Sequence, residues 1–375
     1  MRLLLIMLLC SVAFFSCRKD FDTDLLTTPS LKFSKDTVYL DTVFTNIGSS
    51  TYNLKVYNNS NNAVRISSIK LDKEQASYYR LNVDGKPGKT FENVEILGKD
   101  SIYIFIETTV DYNAVENPLY TDKIIFETGL TQQKVQLVTL VKDAYFLYPQ
   151  QSVDGIETIT LSIDKDGKPN EIQGFYLENN ATFTNEKPYV IYGYCGVKEN
   201  NTLTIEAGAN IHFHSNSGLL ISKNASLNIN GTLAEKVLIE GDRLEPEFSE
   251  IPGQWGAIWL RAGSKNNTIN NTKIKNASIG IIVDSLINNN TTLTIKNTEI
   301  YNSSNFGILA RGASIVGENV VINNSGQASL ACTFGGSYTF THSTFTNFWT
   351  GSFREYPSVF INNYSTNNNG ETVSN

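Results

Sequence analysis

The stretch Ile269-Asn270-Asn271-Thr272-Lys273-Ile274-Lys275-Asn276 decides the fold, because the chain repeats its pattern three more times. The copies are Ile295-Lys296-Asn297-Thr298-Glu299-Ile300-Tyr301-Asn302, Gly317-Glu318-Asn319-Val320-Val321-Ile322-Asn323-Asn324 and Phe340-Thr341-His342-Ser343-Thr344-Phe345-Thr346-Asn347. Their apolar anchors Ile274, Ile300, Ile322 and Phe345 stand 26, 22 and 23 residues apart. Two residues past each anchor is an asparagine: Asn276, Asn302, Asn324 and Asn347. Three residues before it stand Asn271, Asn297, Asn319 and, as a substitute, His342. A second register runs alongside, in which Gly256, Gly280 and Gly307 precede Ile258, Ile281 and Ile308.

A period near 23 residues, with short apolar strands and asparagine corners, is the signature of a solenoid of stacked coils. Inward side chains of one coil sit on the same position of the next, about 4.8 Å away, so like packs on like. Asparagine tolerates the left-handed conformation at a tight corner and can pass its amide hydrogen bonds from coil to coil. Apolar spacing of 3.6 residues is absent, which excludes helical repeats. The reading is a right-handed parallel β-helix over residues 201–364, with residues 365–375 a polar tail lacking any strand or helix to cap the last coil.

Upstream, residues 31–148 carry alternating runs such as Val38-Tyr39-Leu40-Asp41-Thr42-Val43-Phe44 and Ser101-Ile102-Tyr103-Ile104-Phe105-Ile106. Turn clusters such as Asn58-Asn59-Ser60-Asn61-Asn62 and Asp84-Gly85-Lys86-Pro87-Gly88 separate them. Seven or eight such strands in about 110 residues predict an immunoglobulin-like β-sandwich without a stapling cysteine pair, serving as a spacer. Residues 149–200 read as a transition that caps the helix. The fold class is therefore all-β throughout.

Of 375 residues only 18% are charged, against about 25% for typical domains. The net charge of −7 gives no attraction to nucleic acid. Residues 1–16 combine Met1-Arg2 with an apolar run too short to span a bilayer, and form a signal peptide. Its end, Phe14-Phe15-Ser16-Cys17, resembles the lipobox of bacterial lipoproteins. That resemblance implies acylation of Cys17, a tether over residues 17–30 and an outer-membrane address, since no Asp follows the cysteine directly. Cys195 and Cys332, 137 residues apart, read as buried free thiols.

Residues 200–364 are similar to the right-handed β-helix repeat lipoproteins of Bacteroidetes, within the pectin-lyase-like superfamily. Pro252-Gly253-Gln254-Trp255-Gly256-Ala257-Ile258-Trp259-Leu260 and Ile279-Gly280-Ile281-Ile282-Val283-Asp284 carry the likeness. It implies fold and location; the superfold hosts lyases, hydrolases, esterases and proteins with no catalysis.

Three groups carry candidate chemistry. Arg261, Asp284 and Arg311 fall at one offset past Ile258, Ile281 and Ile308, predicting a charged column on an outer face. The segment 240–250 interrupts the coil rhythm with five acids in eleven residues, and Glu245 with Glu247 offers a carboxylate pair of the kind glycosidic cleavage uses. Trp255 and Trp259 follow it as aromatics able to stack on sugar rings. His212 and His214 flank Phe213 and read as an exposed pair lacking a third metal ligand. No metal and no cofactor is implied.

The leading expectation is an outer-membrane-anchored, non-catalytic scaffold or glycan-binding module, with Trp255, Trp259, Arg261, Asp284 and Arg311 as contacts. The alternative is a carbohydrate-active enzyme, lyase or hydrolase, with Glu245, Glu247 and Arg261 as catalytic candidates. Expected partners are the membrane through the anchor, a polysaccharide, and an envelope protein covering the open last coil.

Overall fold

The structure, a computed structural model, describes residues 31–153, 155–284, 291–366 and 372–374. The signal, the tether and Cys17 lie outside the described residues. All regular structure among those described is strand, apart from three single-turn 3-10 helices. The chain divides into two compact units between Lys142 and Asp143.

The first unit is two five-stranded sheets closed over one core. One sheet contains Tyr52–Tyr57, Ser101–Thr108 and Tyr79–Val83; the other contains Thr37–Phe44, Thr131–Lys142, Leu119–Thr128 and Val64–Leu71. Alternation explains the closure: Leu54, Val56, Ile104 and Ile106 point in from one sheet, and Leu40, Ile66, Phe126 and Leu137 from the other. Thr131–Lys142 runs antiparallel to Leu119–Thr128 but parallel to Thr37–Phe44, so it joins the first strand of its sheet to the rest.

The second unit is a right-handed parallel solenoid of about seven turns. Its strands stack on three faces, with Leu293–Ser303 and Ser314–Ser325 running unbroken through the first two. The first face includes Thr202–Glu206, Ser226–Asn230 and Asn267–Asn270; the second includes Asn210–Phe213, Val237–Gly241 and Thr272–Lys275. The third runs through Tyr194–Val197, Gly218–Ile221, Trp255–Leu260, Ala277–Asp284, Phe306–Arg311, Leu330–Thr333 and Val359–Ile361. Ile274 sits on Ile300, Ile300 on Ile322 and Ile322 on Phe345, as the repeat requires. The inward rows from all three faces form one buried core.

Coils begin earlier than residue 201. Tyr145–Leu147, Pro169–Leu177, Tyr189–Ile191 and Tyr194–Val197 already pair in parallel register within the solenoid sheets. The transition read over residues 149–200 is thus mostly coil. The tail also differs from its reading, since Tyr364–Thr366 pairs antiparallel with Thr372–Ser374.

Both asparagine columns adopt the left-handed conformation: Asn271, Asn297, Asn319 and His342 at the first corner, and Asn276, Asn302 and Asn324 at the second, have φ from 46° to 65°. The Asn324 amide donates to Asn302 Oδ1 at 3.2 Å, and Asn319 donates to Asn297 Oδ1 at 2.9 Å. Asn297 donates to Asn270 and not to Asn271, so the first ladder steps sideways by one residue. Asn347 leaves the second column, pairing with Ser325 backbone N–H and carbonyl instead.

Candidate carbohydrate-binding face

The third face carries the predicted charged column, in altered form. Asp284 and Arg311 are register partners, and Arg311 grips the carboxylate at both oxygens, Nε to Oδ1 at 2.6 Å and Nη2 to Oδ2 at 2.8 Å. Trp259 Nε1 donates to Asp284 Oδ2 at 2.8 Å, which fixes the half-buried indole beside the pair. Arg261 follows Leu260, which pairs with Val283, so its backbone keeps the counted rung beside Asp284, but its side chain is engaged elsewhere. Its guanidinium donates to the Leu161 carbonyl and lies 5.5 Å from the Trp259 ring, so it clamps the hairpin 158–177.

Two other candidates take structural places. Trp255 is only 1% exposed, stacks on Phe213 at 4.7 Å and donates to the Lys275 carbonyl at 2.8 Å. A buried indole with a satisfied N–H cannot meet a sugar, so Trp255 is a core plug. Glu245 is buried and held by Arg243 through both carboxylate oxygens, at 2.9 to 3.2 Å, while Glu247 is exposed. The two glutamates occupy different environments, one buried against Arg243 and one exposed.

The acidic segment is pinned to the second asparagine corner. Asn276 donates to the Ser249 carbonyl at 3.0 Å, Asn302 to Glu250 Oε2 at 2.5 Å, and Lys275 to Glu250 Oε1 at 3.2 Å. Burial pushes the Glu250 carboxyl up, but the Asn302 hydrogen bond and the Lys275 charge outweigh it and hold it below the ordinary value. Beneath the segment, His212, Glu240 and Lys275 stack on successive coils. His212 is 3% exposed with Nδ1 3.1 Å from the Gly241 carbonyl, so the pair read as exposed is split: one histidine buried, one at the surface.

His214 lines a polar cleft of about 710 Å³ with Gln173, Tyr192, Tyr194, Asn216 and Ser278. Its Nδ1 lies 2.7 Å from Asp242 Oδ2 and its ring stacks on Tyr192 at 4.5 Å. The Asp242 carboxylate raises the imidazole's pKa.

The arrangement best suited to a ligand lies farther along the third face. A cleft of about 530 Å³ is lined by Phe306, Arg311, Thr333, Phe334, Tyr356, Phe360, Asn362 and Tyr364, within the size range of small-ligand sites. Tyr356 packs edge-on against Phe306 at 6.1 Å and Phe360 at 5.2 Å. Phe334 has φ of 60°, a costly conformation for a bulky residue. Gly335 and Gly336 continue the positive-φ turn, and Asn362 Oδ1 accepts the Phe334 N–H at 3.2 Å. Backbone strain held this way fixes an aromatic ring at the cleft wall.

Two polar donors complete the wall. Arg311 Nη1 and Asn362 Nδ2 make no hydrogen bond among the described residues. Aromatic surfaces beside a planar guanidinium and an amide are the groups that recognise a sugar, through C–H faces and hydroxyls respectively. Only Arg311 of these was anticipated from sequence. The aromatics come from separate segments spanning 306–364, and only coil stacking brings them together.

Fold and site together define a β-sandwich followed by a pectate-lyase-like β-solenoid. Residues 174–283 match the family model described as "Pectate-lyase like beta helix domain", which ends before the coils that build the aromatic cleft. No curated protein matches the chain. Among solved structures, a family 123 glycoside hydrolase from Clostridium perfringens, described in terms of glycolipid glycan hydrolysis, is similar at 10% identity with a TM-score of 0.21. The alignment covers 33% of this chain and 31% of that one, so the likeness spans about a third of each.

Proposed function

We propose that this chain is a carbohydrate-binding lipoprotein of the outer membrane, holding a glycan against the third face of its solenoid. The observation that carries the reading is the cleft in which Phe306, Phe334, Tyr356 and Phe360 surround the free donor edges of Arg311 and Asn362. A half-buried apolar row, Trp259, Ile282 and Leu309, leads along the same face toward it. Such a row suits an extended ligand lying parallel to the solenoid axis.

In this reading the first unit is an immunoglobulin-like spacer and Cys17 bears the lipid anchor, supported by the Phe14-Phe15-Ser16-Cys17 signature. Two or more acyl chains give stable anchoring. Intact-mass measurement of the mature protein tests the anchor: a diacylglycerol adduct on an N-terminal Cys17 is expected, and a free thiol there rejects it. Retention on a glycan array, lost in Tyr356→Ala and kept in Glu247→Gln, tests the site. Loss through Glu247 alone would move the site to the acidic segment.

A further inference from the structure

The chemistry of the cleft also selects among glycans, given the reading of it as a glycan site. Among the described residues Arg311 is the one charged side chain lining it, and both oxygens of Asp284 already engage that guanidinium. The Asp284 side chain is 17% exposed and also accepts from Trp259, so the carboxylate is fixed at the cleft edge. The pair is neutral as a unit. What it offers a ligand is the uncommitted Nη1 edge of Arg311 and the Asn362 amide beside it.

From this we infer that the cleft binds neutral sugars and discriminates against uronates. A hydroxyl can accept from Nη1 and from Asn362 Nδ2 while the ion pair stays intact. A uronate carboxylate has two options, both unfavourable. It can compete for the guanidinium, which leaves Asp284 half-buried and uncompensated. Otherwise it must sit next to a like charge held in place. The aromatic walls favour neither class on charge grounds, since ring faces stack on the C–H surfaces of both. Selection therefore rests on Asp284, which sets the sign of the site by cancelling Arg311.

Asp284→Asn isolates this effect. The amide oxygen still accepts from Trp259 Nε1, whereas the guanidinium loses its counter-charge. Isothermal titration of the full chain with a panel of neutral hexasaccharides (gluco-, manno-, xylo- and galacto-configured) and with hexagalacturonate and hexaguluronate reads it out. The wild type is expected to bind at least one neutral member ten times or more tighter than either uronate. In Asp284→Asn the ratio of neutral to uronate affinity falls at least tenfold. Equal or tighter uronate binding by the wild type overturns the inference and leaves the glycan site standing. Binding of neither class at millimolar concentration removes the glycan reading and the inference with it. Should the variant melt far below the wild type, the wild-type comparison alone decides.

Discussion

Arg311 closes on Asp284 one coil away through two near-parallel hydrogen bonds, at 2.6 and 2.8 Å, with Trp259 donating to the same carboxylate. Partly exposed ion pairs contribute little, about 0.2–1 kcal/mol, because water and salt screen them. Arg311→Ala is expected to cost more than such a pair, about 1–2 kcal/mol in urea unfolding, because it leaves the Asp284 carboxylate, 17% exposed, with the Trp259 N–H alone. Asp284→Ala should cost more, about 1–3 kcal/mol, since it also strands the Trp259 N–H and the guanidinium. Equal costs would show that the indole contact is dispensable.

The second asparagine corner gives a sharper stability test. Asn302 has φ of 56°, accepts from Asn324 and donates to Glu250. Asn302→Ala loses these bonds and places a Cβ-bearing residue with no compensating amide in the left-handed region, for a cost of about 2–4 kcal/mol. Asn302→Gly loses only the bonds and should recover roughly 1 kcal/mol of that. Identical melting of the two variants would mean that the conformation is relaxed and the ladder carries the whole effect.

His214 should titrate above its ordinary 6.5, because Asp242 holds its protonated form. A histidine raised on folding stabilises the protein fully below its unfolded pKa, and that contribution disappears as pH climbs through the folded pKa. Thermal stability should therefore lose a component between about pH 6 and a value above His214's folded midpoint. Proton NMR of the imidazole across pH 5–9 measures the midpoint, and Asp242→Asn should lower it. An unchanged midpoint in that variant would remove Asp242 as the cause.

Burial drives the Cys195 and Cys332 thiols up to about 12, and both are free. Thiol reagents attack the thiolate, so at pH 8 neither residue should react in the native protein. Both should react once guanidinium unfolds the chain. Rapid native labelling of Cys332 would place an opening motion in the coil that carries the aromatic cleft.

Trp255 and Tyr356 separate core from ligand contact. Trp255→Ala empties a core position next to Phe213 and should cost about 3–5 kcal/mol. Tyr356 is 37% exposed, and Tyr356→Ala should cost about 1 kcal/mol or less while abolishing glycan retention.

The solenoid was legible because its information is periodic. Asn276, Asn302 and Asn324 recur where a left-handed corner is needed, and Ile274, Ile300 and Ile322 recur where one side chain stacks on the next. The earlier coils are less legible because their corners lack that asparagine column: Phe175 pairs with Cys195 and Cys195 with Leu219 without it. The Asp284–Arg311 step follows from counting, and so does the rung of Arg261, but the guanidinium's bond to the Leu161 carbonyl, 100 residues away, is beyond the reach of a count. Trp255 read as a sugar platform since burial of an aromatic beside an acidic segment leaves no trace in sequence. The cleft was least legible of all. Phe306, Phe334, Tyr356 and Phe360 follow no period, and the φ of Phe334 is a property of the folded turn.

Carbene footprinting of the protein with and without a bound neutral hexasaccharide shows whether a glycan occupies the aromatic cleft. Protection is expected on peptides containing Phe306–Arg311, Phe334, Tyr356 and Val359–Ile361, with labelling of segment 240–250 unchanged. Protection confined to segment 240–250, or to the His214 cleft, would place the ligand elsewhere and remove the aromatic cleft as its site.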